Sequence, residues 1–167
     1  MFTNSLTRQI AEFLGRIGLE TIPKHLGEDT FLSGIFIENG KILVDESKLA
    51  FPGDLLHEAG HLAVLPKNLR SRLSDEITLP VEFDIDAIEA AAIAWSYAAA
   101  LHLALDPRVV FHAGGYKGNS ESLLLSFSLG VYIGVNTLEA AGMTATGENA
   151  RNSGVEPYPQ MLKWLRD

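Results

Sequence analysis

The chain has 167 residues, 47% of them hydrophobic and 20% charged, which suits one folded domain with its own core and not a disordered segment. It contains no cysteine; that excludes a disulfide framework, a cysteine-rich zinc knuckle and a thiol nucleophile, so any metal site must draw on His, Asp and Glu. The formal net charge is −8 and no Lys/Arg cluster is dense enough to track a phosphate backbone, which argues against a nucleic-acid partner.

In chain order, Leu6, Ile10, Phe13, Leu14 and Ile17 recur at helical spacing. With Asn4 or Ser5 as cap, they predict an amphipathic helix ending near Gly18. The start of the chain, Met1 to Ser5, lacks the basic and apolar regions of a signal peptide. A loop with Pro23 and Gly27 follows. Gly34–Glu38 and Lys41–Asp45 are β-rich runs flanking Asn39-Gly40, a pair that tolerates the positive φ of a type I′ turn and so predicts a hairpin. Its edge is a conceivable place for an extended peptide to add a strand.

Asp54 is a good N-cap for a helix from Leu55 to about Val64, stopped by Pro66. Lys67, Arg70 and Arg72 are expected in a solvated loop, followed by an irregular polar stretch through Ser74, Asp75 and Glu76 to Pro80. A long alanine-rich helix should start near Asp84 and run to about Leu105, ended by Asp106-Pro107. Beyond a glycine-rich loop at Gly114, Gly115 and Gly118, Asn119 or Ser120 should cap an apolar helix reaching about Ile133. A short helix around Asn136–Ala141, a loop from Thr144 to Pro157 and a short docking helix over Tyr158–Leu165 complete the chain. No repeat or linker divides it, so residues 1–167 form one α+β domain. Ala87–Leu105 carries Glu89 and His102, and Leu123–Val135 is too short to span a bilayer. Both are expected to be buried helices of a soluble, cytoplasmic protein with no membrane association.

One motif carries chemistry. His57-Glu58-Ala59-Gly60-His61 is an H-E-x-x-H sequence on a predicted helix. Residues i and i+4 share a helical face, so the two imidazoles can reach one metal ion, while Glu58 is turned to miss the ion and reach water beside it. The apolar Leu55, Leu56, Leu62 and Val64 around them make an unpartnered His-Glu-His set costly to bury. Gly60 weakens a helix interior by about 1 kcal/mol relative to Ala, which suggests close approach of another backbone.

A catalytic zinc site needs a third protein ligand and an open position. Glu82, Asp84, Asp86, Glu89, His102 and His112 are the downstream candidates. Glu89 stands out because Ala87-Ile88 precede it and Ala90 to Ala94 follow it, and a carboxylate so placed wants a cation. Glu82, seven residues earlier, shares its face. Asp86 is an alternative ligand, or an orienting partner of a ligating histidine. His102 points away from the face of Glu89, and His25 has no supporting context.

Three segments, Ile42–Asp45, Leu55–His61 and Glu89–Ala94, together resemble the ImmA/IrrE family of zinc metallopeptidases, within the gluzincin-like group. The resemblance covers about half the chain. It implies a zincin-like fold: a small twisted sheet or hairpin against an HExxH active-site helix, a long glutamate helix and further C-terminal helices. It also implies Zn2+ held by His57, His61 and Glu89, with Glu58 as general base. The substrate would be a peptide or protein, such as a transcriptional regulator. The family's aromatic in the glutamate helix is Ile93 here, and its Leu-Leu-x-Pro ending is only echoed by Leu103–Pro107. For the charge developing on a substrate carbonyl, Tyr97, His112 and Tyr116 are open candidates: Tyr97 lies eight residues after Glu89, and the other two lie on or beside the glycine-rich loop. A non-catalytic zinc-binding interaction or structural protein of the same fold is the alternative.

Overall fold

Asn4 starts the first helix by accepting from the N–H groups of Leu6 and Thr7 through its side-chain oxygen, and Gly18 ends it in the left-handed conformation, a capped pattern at both ends. This is α1, Ser5–Ile17, whose Ile10, Phe13 and Leu14 are fully buried. The structure, a computed structural model, describes residues 1–27, 33–75 and 84–167. Within them lie seven α-helices, two single-turn 3-10 helices and one three-stranded sheet, a mixed α+β arrangement. The expected irregular stretch from Glu76 to Pro80 lies outside the described residues.

The sheet is built on the hairpin of β2 (Ile35–Glu38) and β3 (Lys41–Val44), paired antiparallel from Ile35↔Val44 to Glu38↔Lys41. Asn39 and Gly40 both have positive φ, 50° and 73°, as the turn requires. Gly40 is needed for a second reason: a Cβ there would lie 2.4 Å from the Arg70 carbonyl oxygen. A third strand, β1 (Thr21–Pro23), joins on the other side of β3 in parallel, giving the order β1-β3-β2. The sequence pattern had placed a loop there. Strand β1 is three residues long, too short to show a period of two, and it exists because its partner lies about twenty residues on. On the opposite edge, the Ile37 carbonyl accepts from the Asp75 N–H at 3.1 Å, so part of the edge considered for strand addition is taken. At the end of β3, Asp45 accepts from Leu26 and Ser47 and pairs with His25 at 2.9 Å. The Ser47 hydroxyl bond, helped by the Leu26 N–H, lowers its pKa to about 2.

Helix α2 (Asp54–Val64) and helix α4 (Ile85–His102) pack against each other along the centre of the molecule. Asp84 caps α4 through the Ala87 N–H. Every residue of α4 from Ala91 to Ala100 is buried, as a helix apolar all round must be. The expected close approach at Gly60 is present: a Cβ there would lie 2.8 Å from the Ala92 carbonyl oxygen. Small residues on both helices bring the two backbones together, and this fixes the faces from which His57, His61 and Glu89 project.

Several expectations are corrected. Asp54 is the first residue of α2 and makes no capping hydrogen bond, because its carboxylate is engaged by His112. Arg70, at the end of α3 (Lys67–Arg70), is not solvated: it donates to the carbonyls of Leu62, Leu65 and Arg166 and so satisfies the C-terminal end of α2. Helix α4 ends three residues earlier than expected, and Ala104 has φ 55°. Helix α5 (Ser120–Ser128) also stops early, since Gly130 turns left-handed and Val131 N–H bonds back to Ser126. Helix α6 spans Val135–Ala140, close to expectation, but the expected loop from Thr144 contains α7 (Gly147–Ser153).

The last segment docks without forming a helix. Its N–H groups reach distant carbonyls instead, Tyr158 to Ala145, Leu162 to Met143 and Arg166 to Ala63. Trp164 packs edge-on against Phe13 and Trp95, at 5.0 and 5.5 Å between ring centres. No described helix is long and apolar enough to cross a membrane.

Candidate metal centre

The one-turn spacing of His57 and His61 on α2 puts their Nε2 atoms 3.1 Å apart. Glu89, at the second turn of α4, brings Oε1 to 3.5 Å from His57 Nε2 and Oε2 to 3.2 Å from His61 Nε2. Two donors each about 2.0–2.1 Å from one tetrahedral ion stand about 3.3 Å apart. The three observed separations straddle that value, so two imidazole nitrogens and a carboxylate oxygen fit a single divalent cation in spacing and in donor type. Among the described residues this is the group of His, Asp and Glu donors that can hold a metal ion.

Electrostatics at the triad follow from burial and proximity. Burial pushes His57 down to about 4, with its neighbour His61 acting in the same direction. Burial also opposes charge on His61, but the hydrogen bond it donates to the Glu89 carboxylate, with Glu58 nearby, outweighs it and raises that pKa. The bond to His61 lowers Glu89. Glu58 is buried beside Asp75, Asp54 and Glu89, which pushes its carboxyl up to about 7 although His61 pulls the other way. A cation held by the triad would favour the ionised carboxylate.

These residues line a cleft of about 430 Å³, whose other walls include Asp54, Asp86, Tyr116 and Lys117. Tyr116 reaches into it so that its hydroxyl lies 3.3 Å from His57 Nδ1, and its ring meets the imidazole edge-on at 5.4 Å. Burial pushes the phenol up, so it is neutral. The tautomer in which His57 Nδ1–H donates to this oxygen leaves the Nε2 lone pair directed toward His61 and Glu89. Among the three candidates for carbonyl stabilisation, Tyr116 therefore stands in the cleft, on His57. Among the described residues Tyr97 does not line the cleft; it is buried with Phe111, Phe127 and Tyr132. The eighteen-residue α4 is surrounded, and the face of Glu89 eight residues on is covered by the aromatic cluster, not by the cleft. His112 sits behind Asp54, 2.7 Å from its Oδ1 and stacked on Phe51 at 3.8 Å.

Of the alternative third ligands, Asp86 lines the cleft but stands outside the close donor group, and Glu82 lies outside the described residues. His102 is exposed and packs on Phe13 and Trp164. Two cleft residues were not singled out from the sequence. Asp54 looked like a helix cap. Lys117 carried only the signal of a lysine inside a glycine-flanked loop.

That loop is held in an unusual conformation. Tyr116 and Lys117 both have φ 53°, which costs side-chain-bearing residues about 1–3 kcal/mol each. The geometry is fixed from both sides: His112 is pinned to Asp54, and the Ser120 hydroxyl donates to the carbonyls of His112 and Gly115.

Compared with protein-family models, with curated proteins and with solved structures, the chain matches none.

Proposed function

We propose that this protein is a zinc-dependent metallopeptidase of zincin-like architecture. The observation that carries the reading is the triangle of 3.1, 3.2 and 3.5 Å between donor atoms of His57, His61 and Glu89, set on two packed helices, with Glu58 in the same cleft. The donor set suits zinc, which takes imidazole nitrogen and carboxylate oxygen and, in catalytic sites, three protein ligands plus an open position. The likeness of three segments to the ImmA/IrrE metallopeptidases points the same way. A structural zinc site would be closed by a fourth protein ligand; the described donor group has three members and borders a cleft, which favours the enzyme.

Bound at the triad, zinc supplies Lewis acidity, polarising a carbonyl and acidifying water. The protein's own groups do the rest. His57, His61 and Glu89 present their donor atoms from a rigid seam, and Tyr116 holds the His57 ring in the required tautomer. Glu58 accepts the proton of the attacking water and passes it to the departing amine. The substrate is a peptide or a protein, with a transcriptional regulator as one candidate class, and the setting is cytoplasmic.

The test pairs elemental analysis of untagged protein with the Glu58→Gln variant. Wild type should carry about one zinc per chain and cut a labelled unfolded protein. The variant should keep the metal and lose at least about 100-fold in rate, the scale of a general base. Equal rates in both would remove Glu58 from the chemistry.

A further inference from the structure

A second cavity, of about 450 Å³, opens beside the metal cleft and shares Glu89, Tyr116 and Lys117 with it. Its apolar surface comes from Ile93 of α4 and Leu123 of α5, and Asn119 and Ser122 add polar groups. Among the described residues lining the two cavities, Lys117 is the one Lys or Arg, in a cleft that also holds the carboxylates of Asp54, Glu58, Asp86 and Glu89 and the imidazoles of His57 and His61. It forms no ion pair among the described residues. Its left-handed backbone, with that of Tyr116, is over-determined by the anchors at His112 and Ser120. Lys117 is exposed and lines both cavities, which places it at the rim where they meet.

The geometry points to a subsite for the C-terminal residue of a peptide, its side chain in the second cavity and its free carboxylate on Lys117. The carboxylates of the cleft would repel an anionic terminus and a zinc ion at the triad would draw it onto the reacting centre, so Lys117 is the lysine that can hold it away from the metal and set the register. The apolar surface from Ile93 and Leu123 selects a hydrophobic terminal residue such as leucine. The inference rests on the peptidase reading and gives it a substrate class: a carboxypeptidase acting on chains with an apolar end. Water adds across the last peptide bond and the C–N bond breaks. The nitrogen leaves protonated as the amine of the released amino acid, and the new carboxylate remains on the shortened chain.

Binding is measured calorimetrically on the zinc-loaded full chain carrying Glu58→Gln, and again on zinc-free protein. The probes are N-acetyl-Ala-Ala-Ala-Leu as free acid and as amide, and the free acid ending in glycine. The free acid should bind about two- to fivefold tighter than the amide, the size of an exposed ion pair. Glycine in place of the terminal leucine should weaken binding about tenfold. Adding Lys117→Gln should bring the acid and amide to equal affinity while leaving the preference for leucine over glycine in place. A purely structural role for Lys117 would weaken acid and amide together, and that result overturns the subsite, as does equal binding of the two by the parent protein. Mass spectrometry of wild-type digests supplies the second arm. Release of single C-terminal leucine supports the proposal, while internal cleavage with no preference for a free terminus overturns it and leaves the peptidase reading standing. If zinc is not bound but the acid preference and its loss in Lys117→Gln persist on zinc-free protein, the peptidase reading fails and the carboxylate site survives.

Discussion

The metal cleft has two walls made by different physics. One is the seam of α2 and α4, where small residues let two helices approach until Gly60 nearly touches the Ala92 carbonyl, and the ligands project from regular backbone. The other is the loop from His112 to Gly118, irregular but for one 3-10 turn at Tyr116–Gly118. Its two cleft-lining residues sit at φ 53°, and the loop is held by Tyr116 on His57, His112 on Asp54 and Ser120 on the His112 carbonyl. The seam is stabilised by close packing, which is sensitive to volume. The loop is stabilised by a few directional bonds, which are sensitive to the loss of a single polar atom. The first wall should therefore decide whether the fold and the ligand triangle exist, and the second how well the triangle is tuned.

The largest effect expected is at the seam. Gly60→Val adds three carbon atoms where a Cβ alone would already lie 2.8 Å from backbone oxygen. The two helices must separate, at a cost of about 3 kcal/mol in urea unfolding. Zinc affinity should fall with it, because His57 and His61 stand on one helix and Glu89 on the other. A variant as stable as wild type would show that the contact can open freely, and the contrast between the walls would collapse.

A smaller effect, confined to the site, is expected for Tyr116→Phe. The ring and its packing against His57 and Phe111 are kept, and the hydroxyl near His57 Nδ1 is removed. Groups that orient a metal-ligating histidine typically contribute 10- to 100-fold to metal affinity; at 3.3 Å the lower end, about tenfold, is expected in chelator competition, with unfolding unchanged. Equal affinity would mean that the hydroxyl does not set the imidazole.

The same contrast explains what was legible in the sequence. Local signals gave α1 with its Asn4 cap, the Asn39-Gly40 hairpin, α2, the start of α4, the close approach at Gly60 and the donors His57, His61 and Glu89, because helix and turn chemistry act over four or five residues. Contacts between distant residues were not legible. Strand β1 depends on β3, Arg70 on carbonyls at both the end of α2 and the C-terminus, and Asp54 on a histidine 58 positions later. Helix α7 buries only Ala150, so it shows no apolar period to read. The tail docks through aromatic rings and long-range carbonyls where the pattern suggested a helix.

His112→Ala gives the smallest effect on zinc affinity and separates the walls most cleanly. It removes the bond to Asp54 and the stack on Phe51 without touching α4. The Asp54 carboxylate is partly exposed and can be hydrated in the variant, so the global cost should stay near 1 kcal/mol. Opening of the loop, by contrast, needs only its local anchors to fail. Losing one of them should raise amide hydrogen exchange across Ala113–Gly118 about tenfold, the equivalent of roughly 1.4 kcal/mol, while α2 and α4, which open with the whole fold, should quicken by no more than the roughly fivefold that the global cost allows. Zinc affinity should drop by less than in Tyr116→Phe, because Tyr116 keeps its hydroxyl and spends only part of its time away from His57. Equal acceleration in α2, α4 and the loop would mean that the two walls form one cooperative unit.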